Sequence, residues 1–338
     1  MAEVVLVLPK YIMKDITTAK KDLSEELNNF QFDPPLHVTY LAACLEKENI
    51  SVKIIDEGIL SIKDKAYDLI EEIKNENPLV VGVHVNSFSL NKVYLLIKSL
   101  KEKFNAVIVV GGPHVNFDSS SVNYLGANYG FSGECELAFS KFVCCIKERK
   151  DIKNIPGLIR KTSNGIISNP PELIEDLDNL PFPARHLIST NHYYIASTHE
   201  KVATILASRG CVYKCIFCSS PSKTIRKRSP KNIVEEIGLL VRQGYEVIRF
   251  QDDFFTFDRM WVEQICKLII KHNIKIKWDC TTRVDWLDSE LLTIMEKAGC
   301  YLIFCGVETG NEEIRNKILK KGLSNKDLLN GYKMIREA

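Results

Sequence analysis

The stretch "VATILASRGCVYKCIFC", Val202 to Cys218, joins a run of strand length to a loop with three cysteines. Three residues separate Cys211 from Cys215, and two separate Cys215 from Cys218. Structural zinc usually takes four nitrogen or sulfur ligands in two short-spaced pairs, and no second pair follows downstream. Thiolates also hold iron–sulfur clusters, and a 4Fe–4S cluster on three thiolates leaves one iron open. The loop therefore predicts an open, catalytic metal site.

The composition is that of a globular protein with no polyanionic partner. The chain has 338 residues, a formal net charge of +2 and 45% hydrophobic residues, which predicts two domains and no nucleic-acid binding. No apolar run is long enough for a membrane span, and the first residues lack the features of a signal peptide. The eleven cysteines are odd in number and irregularly spaced, so we expect a reducing compartment and a cytoplasmic protein.

The order of strand and helix patterns predicts an α/β protein with two domains. Residues 1–150 alternate strands and helices, and the strands are apolar on nearly every residue, which is typical of a doubly wound, Rossmann-like parallel sheet. Ligands of such sheets bind at the carboxyl ends of the strands. Residues 151–200 form a predicted connector with a hairpin around "SNG". Residues 201–338 predict a partial β/α barrel, apparently truncated after its fourth strand, which a partner chain could complete.

The cysteine loop resembles the Cx3CxφC signature of the radical S-adenosylmethionine enzymes. The resemblance implies that Cys211, Cys215 and Cys218 are the catalytic ligands of a 4Fe–4S cluster whose open iron chelates S-adenosylmethionine. Phe217 would then lie against the adenine. "FQDDFF", "TTRVD" and "GVETGN" are similar to the family's motifs after the next three strands. They imply further cofactor contacts at Asp252, Asp253, Arg283 and Glu308, with Arg226 and Arg228 as weaker candidates.

The N-terminal half resembles the cobalamin-dependent branch of that family, which includes the anaerobic cyclase of bacteriochlorophyll synthesis and many radical methyltransferases. "VVGVHVNS", "VVGGPHVN", "GFSGECELAF" and "LDNLPFPAR" carry this resemblance. It implies a bound cobalamin, for which the expected contacts are Asn86, Ser87, Gly111, Gly112 and Glu134. The chain has no Asp-x-His-x-x-Gly, so the resemblance implies base-off cobalamin with no protein ligand, or a water, below cobalt. His84 and His114 are candidate cobalt ligands by position only.

We therefore expect a cobalamin-dependent radical enzyme that forms a 5′-deoxyadenosyl radical for methyl transfer or a related modification of an unactivated carbon. The substrate would be a small molecule or a peptide, and the electron donor a flavodoxin or ferredoxin. One alternative is a methylthiotransferase, which needs three further cluster cysteines in the N-terminal domain. Cys44, Cys135, Cys144 and Cys145 lack suitable spacing for that cluster. The other alternative is a truncated, non-catalytic module that binds a corrinoid or a cluster.

Overall fold

A computed structural model describes residues 1–10, 33–63, 67–163, 165–195, 197–218 and 222–338. These residues form two compact units. Apart from the gaps just given, the first unit contains residues 1–10, 35–174 and 180–192, and the second contains 33–34, 175–179 and 193–338. Among the helices of these described ranges, none combines the length and apolar character that crossing a bilayer requires.

The first unit is built on a seven-stranded sheet in the order β2-β1-β3-β4-β5-β6-β7. Its strands are β1 (Val4–Leu8), β2 (Val52–Asp56), β3 (Val80–His84), β4 (Val107–Gly111), β5 (Tyr129–Phe131), β6 (Leu158–Thr162) and β7 (Gly165–Ser168). Strands β1 to β5 are mutually parallel, and β6 and β7 are antiparallel additions at one edge. The order of the parallel part reverses between β1 and β3, which is where doubly wound sheets bind their ligands.

Helices cover both faces of this sheet. They are α1 (Leu36–Lys47), α2 (Glu57–Lys63), α3 (Leu69–Glu76), α4 (Leu90–Lys103), α5 (Pro113–Phe117), α6 (Ser121–Leu125) and α7 (Glu136–Glu148). Alternate residues of one strand serve opposite cores: Val4 and Leu6 pack with α1 and α7, whereas Val5 and Val7 pack with α3 and α4. Burial on both faces explains why the strands are apolar at nearly every position, and the predicted doubly wound fold is confirmed.

The segment expected to be a connector contributes to the first sheet. Strand β6 pairs antiparallel with β5, and β7 pairs antiparallel with β6, so the hairpin predicted around "SNG" extends the sheet edge. Beyond this hairpin, residues 175–179 and 193–200 pack with the second unit. The region lacks helical periodicity because it consists of an edge hairpin followed by irregular structure. From composition alone, such a segment resembles a linker.

The second unit has a four-stranded parallel sheet in the order β13-β12-β11-β8. The strands are β8 (Val202–Ile205), β11 (Val247–Phe250), β12 (Lys277–Thr282) and β13 (Cys300–Cys305), and they match the four predicted strands. Its helices are α8 (Pro230–Arg242), α9 (Arg259–Lys271), α10 (Ser289–Lys297) and α11 (Asn325–Glu337). Ser229 caps α8 as predicted, because its side chain accepts a hydrogen bond from the Asn232 amide. Within the described part of the chain the sheet does not close on itself, so the partial barrel is confirmed.

Candidate functional site

The cysteine loop leaves the carboxyl end of β8 between two short strands. These strands, β9 (Ser208–Arg209) and β10 (Arg226–Lys227), pair antiparallel and close the base of the loop. Gly210 follows β9 with φ +95°, and a Cβ there would lie 2.3 Å from the carbonyl oxygen of Thr224. The Cys211 amide donates to the Ser222 carbonyl at 3.0 Å. The base of the loop is therefore fixed by close backbone contacts that only glycine permits.

The three cysteine side chains are accessible, as ligands of an open cluster must be. Cys211 and Cys215 are partly exposed, Cys218 is exposed, and none of the three is in a disulfide. Among the described residues, no three His, Cys, Asp or Glu side chains converge tightly enough to share one metal ion. A 4Fe–4S cluster does not require such convergence, because each thiolate binds a different iron atom. The donor set therefore fits a cluster better than a mononuclear metal.

Aromatic residues that the sequence analysis did not single out pack around Tyr213 of this loop. Tyr213 stacks under the Arg283 guanidinium, whose central carbon lies 3.8 Å from the ring centroid. The Trp286 indole donates a 2.7 Å hydrogen bond to the Tyr213 hydroxyl, and Phe254 packs edge-on against Trp286. Tyr213 lies inside the "CVYKC" motif, but its partners come from strand ends far along the chain. Sequence spacing alone could not pair them.

Arg283 is placed as an anchor for the segment that follows β13. It donates to the carbonyls of Lys321 and Gly322 at 2.7 and 3.0 Å and pairs with Asp285 at 2.8 Å. Most of its donors are therefore engaged by protein. A contact to the cofactor remains a prediction for Arg283, and these bonds show that it also ties β12 to residues 321–322.

Glu308 and Phe217 lie around one buried lysine. The Lys321 ammonium pairs with Glu308 at 2.7 Å and lies 5.8 Å from the centroid of the Phe217 ring. Glu308 has φ +64°, an uncommon conformation for a residue with a side chain, and a Cβ at Gly306 would collide with this pair. Phe217 is 50% exposed, so its ring is available to a ligand. Strained backbone and a partly open aromatic ring mark this corner as a candidate cofactor site.

Asp252 and Asp253 differ sharply in their surroundings. Asp252 is 2% exposed and accepts hydrogen bonds from the Ala207 amide at 3.1 Å and the Ser208 hydroxyl at 2.5 Å. Burial raises the pKa of Asp252 to about 7, against the opposing effect of these bonds. Asp253 is exposed. Burial raises the pKa of the Cys211 thiol, and the Asp253 charge adds to this, so Asp253 lies near the cysteines.

The two arginines of the connecting segment are buried. Arg228 pairs with Glu236 at 2.5 Å, and both side chains are almost wholly enclosed. The Arg228 carbonyl also accepts a 2.8 Å hydrogen bond from the Trp261 indole. These contacts support a structural role for Arg228 in joining the start of α8 to α9. Arg226 is 6% exposed and belongs to β10.

A cavity of about 370 Å³ opens in the first unit beside the carboxyl ends of the parallel strands. Of the residues predicted to contact cobalamin, Gly111, Gly112 and Glu134 line this cavity, whereas Asn86 and Ser87 are not among its lining residues. Gly82, Gly111, Gly112 and Gly133 remove side chains from its wall. A Cβ at Gly111 would meet no atom closer than the Phe131 carbonyl, at 3.7 Å, so this part of the wall is open. These features fit a large cofactor that approaches backbone closely.

Hydrogen bonds explain why the quoted N-terminal motifs occur together. Asn116 of "GGPHVN" accepts a 2.8 Å hydrogen bond from the Gly133 amide of "SGECE". Glu134 of the second motif accepts a 3.0 Å hydrogen bond from the Ile174 amide. Asn86 is used locally, because its side chain accepts from the Ser89 amide at 2.8 Å at the start of α4. Ser87 forms a 3.0 Å hydrogen bond with His114. These four polar side chains therefore shape the ends of the strands.

The fold and the site together define a protein with a Rossmann-like ligand domain and a partial barrel that carries a three-cysteine loop. The B12 binding domain family matches residues 30–143, and the radical SAM superfamily matches residues 205–338. The chain is 28% identical to an uncharacterized methyltransferase, PH0819, of Pyrococcus horikoshii over 90% of its own length and 67% of the relative. It is 26% identical to the anaerobic magnesium-protoporphyrin IX monomethyl ester cyclase of Synechocystis, over 87% of its length and 60% of the relative.

A solved structure has the same fold. The radical S-adenosylmethionine methyltransferase TsrM of Kitasatospora setae, with cobalamin and a [4Fe-4S] cluster bound, matches 100% of this chain and 65% of its own with a TM-score of 0.77 and 20% identity. The chain thus spans about two thirds or less of the length of these proteins. It contains a B12 binding domain and a radical SAM domain, which together imply a 4Fe–4S cluster, S-adenosylmethionine and cobalamin as cofactors.

Proposed function

We propose that this chain cleaves S-adenosylmethionine at a 4Fe–4S cluster on Cys211, Cys215 and Cys218, and uses cobalamin for methyl transfer or a related modification of an unactivated carbon. The observation that carries this proposal is the accessible three-cysteine loop, fixed at its base by the β9–β10 pair and Gly210. When bound, the cluster would supply the electron that splits the sulfonium, and cobalamin would supply the methyl group. The substrate would be a small molecule or a peptide.

The side chains around the loop suit the handling of S-adenosylmethionine. Phe217 exposes half of its ring, so it can stack on the adenine. Asp253 is exposed near Cys211, so its carboxylate can accept hydrogen bonds from the amino group of the cofactor's methionine part. Glu308 is held by Lys321 and can accept from a hydroxyl while it remains charge-balanced. Each of these residues belongs to a motif that resembles the family's, and its position permits the proposed contact.

The same proposal includes an external electron donor and a reducing compartment. A flavodoxin or ferredoxin would deliver the electron, because the cluster must be reduced before each cleavage. None of the eleven cysteines is in a disulfide, which is compatible with the cytoplasm of a cell kept free of oxygen. A methylthiotransferase is less well supported, because the cysteines of the first unit, Cys44, Cys135, Cys144 and Cys145, lack the spacing of a second cluster site.

Anaerobic reconstitution with iron and sulfide tests the cluster and its chemistry. The triple variant Cys211→Ala, Cys215→Ala, Cys218→Ala should lose the cluster absorbance and form no 5′-deoxyadenosine from S-adenosylmethionine and a strong reductant. The matched control is the double variant Cys144→Ala, Cys145→Ala, which removes partly exposed thiols from α7. The control should keep both the absorbance and the cleavage. A full cluster in the triple variant would make the assignment of these ligands wrong.

Equilibrium binding of hydroxocobalamin tests the cavity. Gly111→Val should fill open cavity space, since a Cβ at this position has no contact closer than 3.7 Å, and should weaken binding at least about tenfold. Gly112 is a poor choice, because its φ of +118° and a Cβ 2.7 Å from the Val85 carbonyl would strain the backbone itself. Gly310→Val, at a glycine with open space around it, is the control and should bind normally. Unchanged affinity in folded Gly111→Val would place the corrinoid elsewhere.

A further inference from the structure

Two histidines lie side by side at the cobalamin cavity. His37 belongs to the first turn of α1, His84 is the last residue of β3, and both line the cavity. Their ring centroids are 4.4 Å apart, with the rings tilted by 41°. A Cβ at Gly112 would come within 2.9 Å of the His84 ring, so glycine at this turn leaves room for the imidazole. The pair thus occupies the strand ends where this fold binds its ligand.

This pair differs from the hydrogen-bonded histidines of the first unit. His114 bonds to Ser87 at 3.0 Å and His186 to Glu46 at 2.8 Å. Within the described ranges, neither His37 nor His84 forms a hydrogen bond through its ring nitrogens. Ring nitrogens that have no partner in the protein are free to bind a ligand at the cavity.

The two histidines differ in exposure. His37 is exposed, whereas His84 is only partly exposed. An imidazole that is surrounded by protein yet open to a recess keeps its lone pair available to a metal ion.

We propose that His37 binds cobalt as the lower axial ligand of the bound corrinoid and that His84 packs behind it as a positioning residue. His37 is the ligand because it is an exposed residue that lines the cavity, while the Cε1 and Nδ1 edge of His84 faces Gly112. The proposal rests on cobalamin binding by this family. It differs from the sequence-based expectation of a cobalt without a protein ligand, because the imidazole comes from α1 and needs no Asp-x-His-x-x-Gly motif.

Electron paramagnetic resonance of bound cob(II)inamide provides the test, independently of catalysis. Cobinamide lacks the nucleotide base, so any nitrogen splitting of the cobalt signal must come from the protein or the buffer. The unaltered chain in imidazole-free buffer should show the triplet of one ¹⁴N ligand, which becomes a doublet in ¹⁵N-labelled protein. His37→Ala should lose the splitting, and added imidazole should restore it in the folded variant. His84→Ala should keep the splitting with several-fold weaker binding, and the control His186→Ala, at a histidine outside the cavity lining, should leave both unchanged.

The possible failures are distinguishable. Bound cob(II)inamide without nitrogen splitting would overturn the cobalt ligand and leave the proposed function intact. Splitting that survives in His37→Ala and disappears in His84→Ala would assign the wrong ring and also overturn the proposal. No retention of cobinamide or cobalamin after gel filtration would contradict cobalamin binding itself, and the axial ligand with it.

Discussion

At the scale of single residues, the adjacent carboxylates Asp252 and Asp253 have different roles in the structure. Asp252 faces inward and accepts hydrogen bonds from Ala207 and Ser208, at the start of the cysteine loop. Asp253 faces outward near Cys211. Two identical neighbours in a motif cannot be told apart by sequence, because only the packing of β8 against β11 decides which one is buried. We therefore expect Asp252 to support the loop and Asp253 to contact the cofactor.

Single substitutions of the two carboxylates should separate these roles. Asp252→Ala should lower the iron bound after reconstitution, because the loop loses the acceptor that holds Ala207 and Ser208. Asp253→Ala should keep the iron but weaken S-adenosylmethionine binding by roughly tenfold or more, the value of a hydrogen bond to a charged group. Iron analysis and calorimetric titration measure the two effects. Equal iron loss in both variants would contradict the division of roles.

The pKa of Asp252 predicts a dependence of stability on pH. Burial raises this pKa to about 7, so at intermediate pH the folded state holds a proton that the unfolded state has released. The free energy of unfolding should therefore fall as the pH rises from about 4 to about 7, and then level off. Urea midpoints across this range should show the decrease. Asp252→Asn, which carries no titrating proton, should show a flatter profile, and an identical slope would mean that another group causes it.

At the scale of elements, the cysteine loop is positioned by contacts at its base and on its flank. The β9–β10 pair and Gly210 hold the base, while Tyr213 is held by Arg283 and Trp286. Between Cys215 and Cys218, the Ile216 amide donates a hydrogen bond to the Leu319 carbonyl at 3.2 Å. The loop therefore depends on segments that follow β12 and β13, although its cysteines are adjacent in sequence.

Gly210→Ala should destabilise the second unit, and Gly238→Ala should not. Alanine at position 210 would be strained by φ +95° and by a Cβ 2.3 Å from Thr224, at a cost of about 1–3 kcal/mol. At position 238, inside α8, the nearest atom is the end of the Arg242 side chain at 3.5 Å. Alanine there should add about 0.5–1 kcal/mol, because glycine is unfavourable within a helix. Denaturant unfolding compares the two variants, and a neutral Gly210→Ala would mean that the loop base relaxes freely.

At the scale of the whole molecule, the second sheet has an edge with apolar side chains on it. Strand β13 pairs only with β12 among the described residues, and Tyr301, Leu302 and Phe304 are substantially exposed. Exposed strand edges with apolar side chains tend to pair with further chain. Strand β13 therefore presents an edge that a further strand could cover. The motifs for the cluster and S-adenosylmethionine lie within the strands already present.

Hydrogen exchange of the 338-residue chain should reveal this edge. Amides of Leu302 to Val307 should exchange faster than those of β11, which pairs with a strand on each side. A native mass measurement on the same sample excludes protection by self-association. Strong protection throughout β13 in a monomer would mean that the edge is already covered and that the strand order is incomplete.

Local sequence patterns determined much about this protein, because the responsible interactions are short in range. Continuous apolar runs predicted the buried parallel strands, and Ser229 before Pro230 predicted the start of α8. The three cysteines predicted an open cluster site, and the glycine turns predicted a ligand at the strand ends. Each of these predictions depends on residues that are neighbours along the chain. Together they were sufficient to predict the resemblance to the family, the fold class and the cofactors.

Only the tertiary structure decided which side chains are buried and which pairs meet. It paired β6 with β7 as an edge hairpin of the first sheet, buried Asp252 rather than Asp253, and paired Arg228 with Glu236. It also brought His37 beside His84, although 46 residues lie between them, counting the intervening positions of the printed sequence. Burial and long-range contacts depend on the register of strands and the packing of helices across the sheet. Those quantities arise from the whole fold, so neighbouring residues cannot encode them alone.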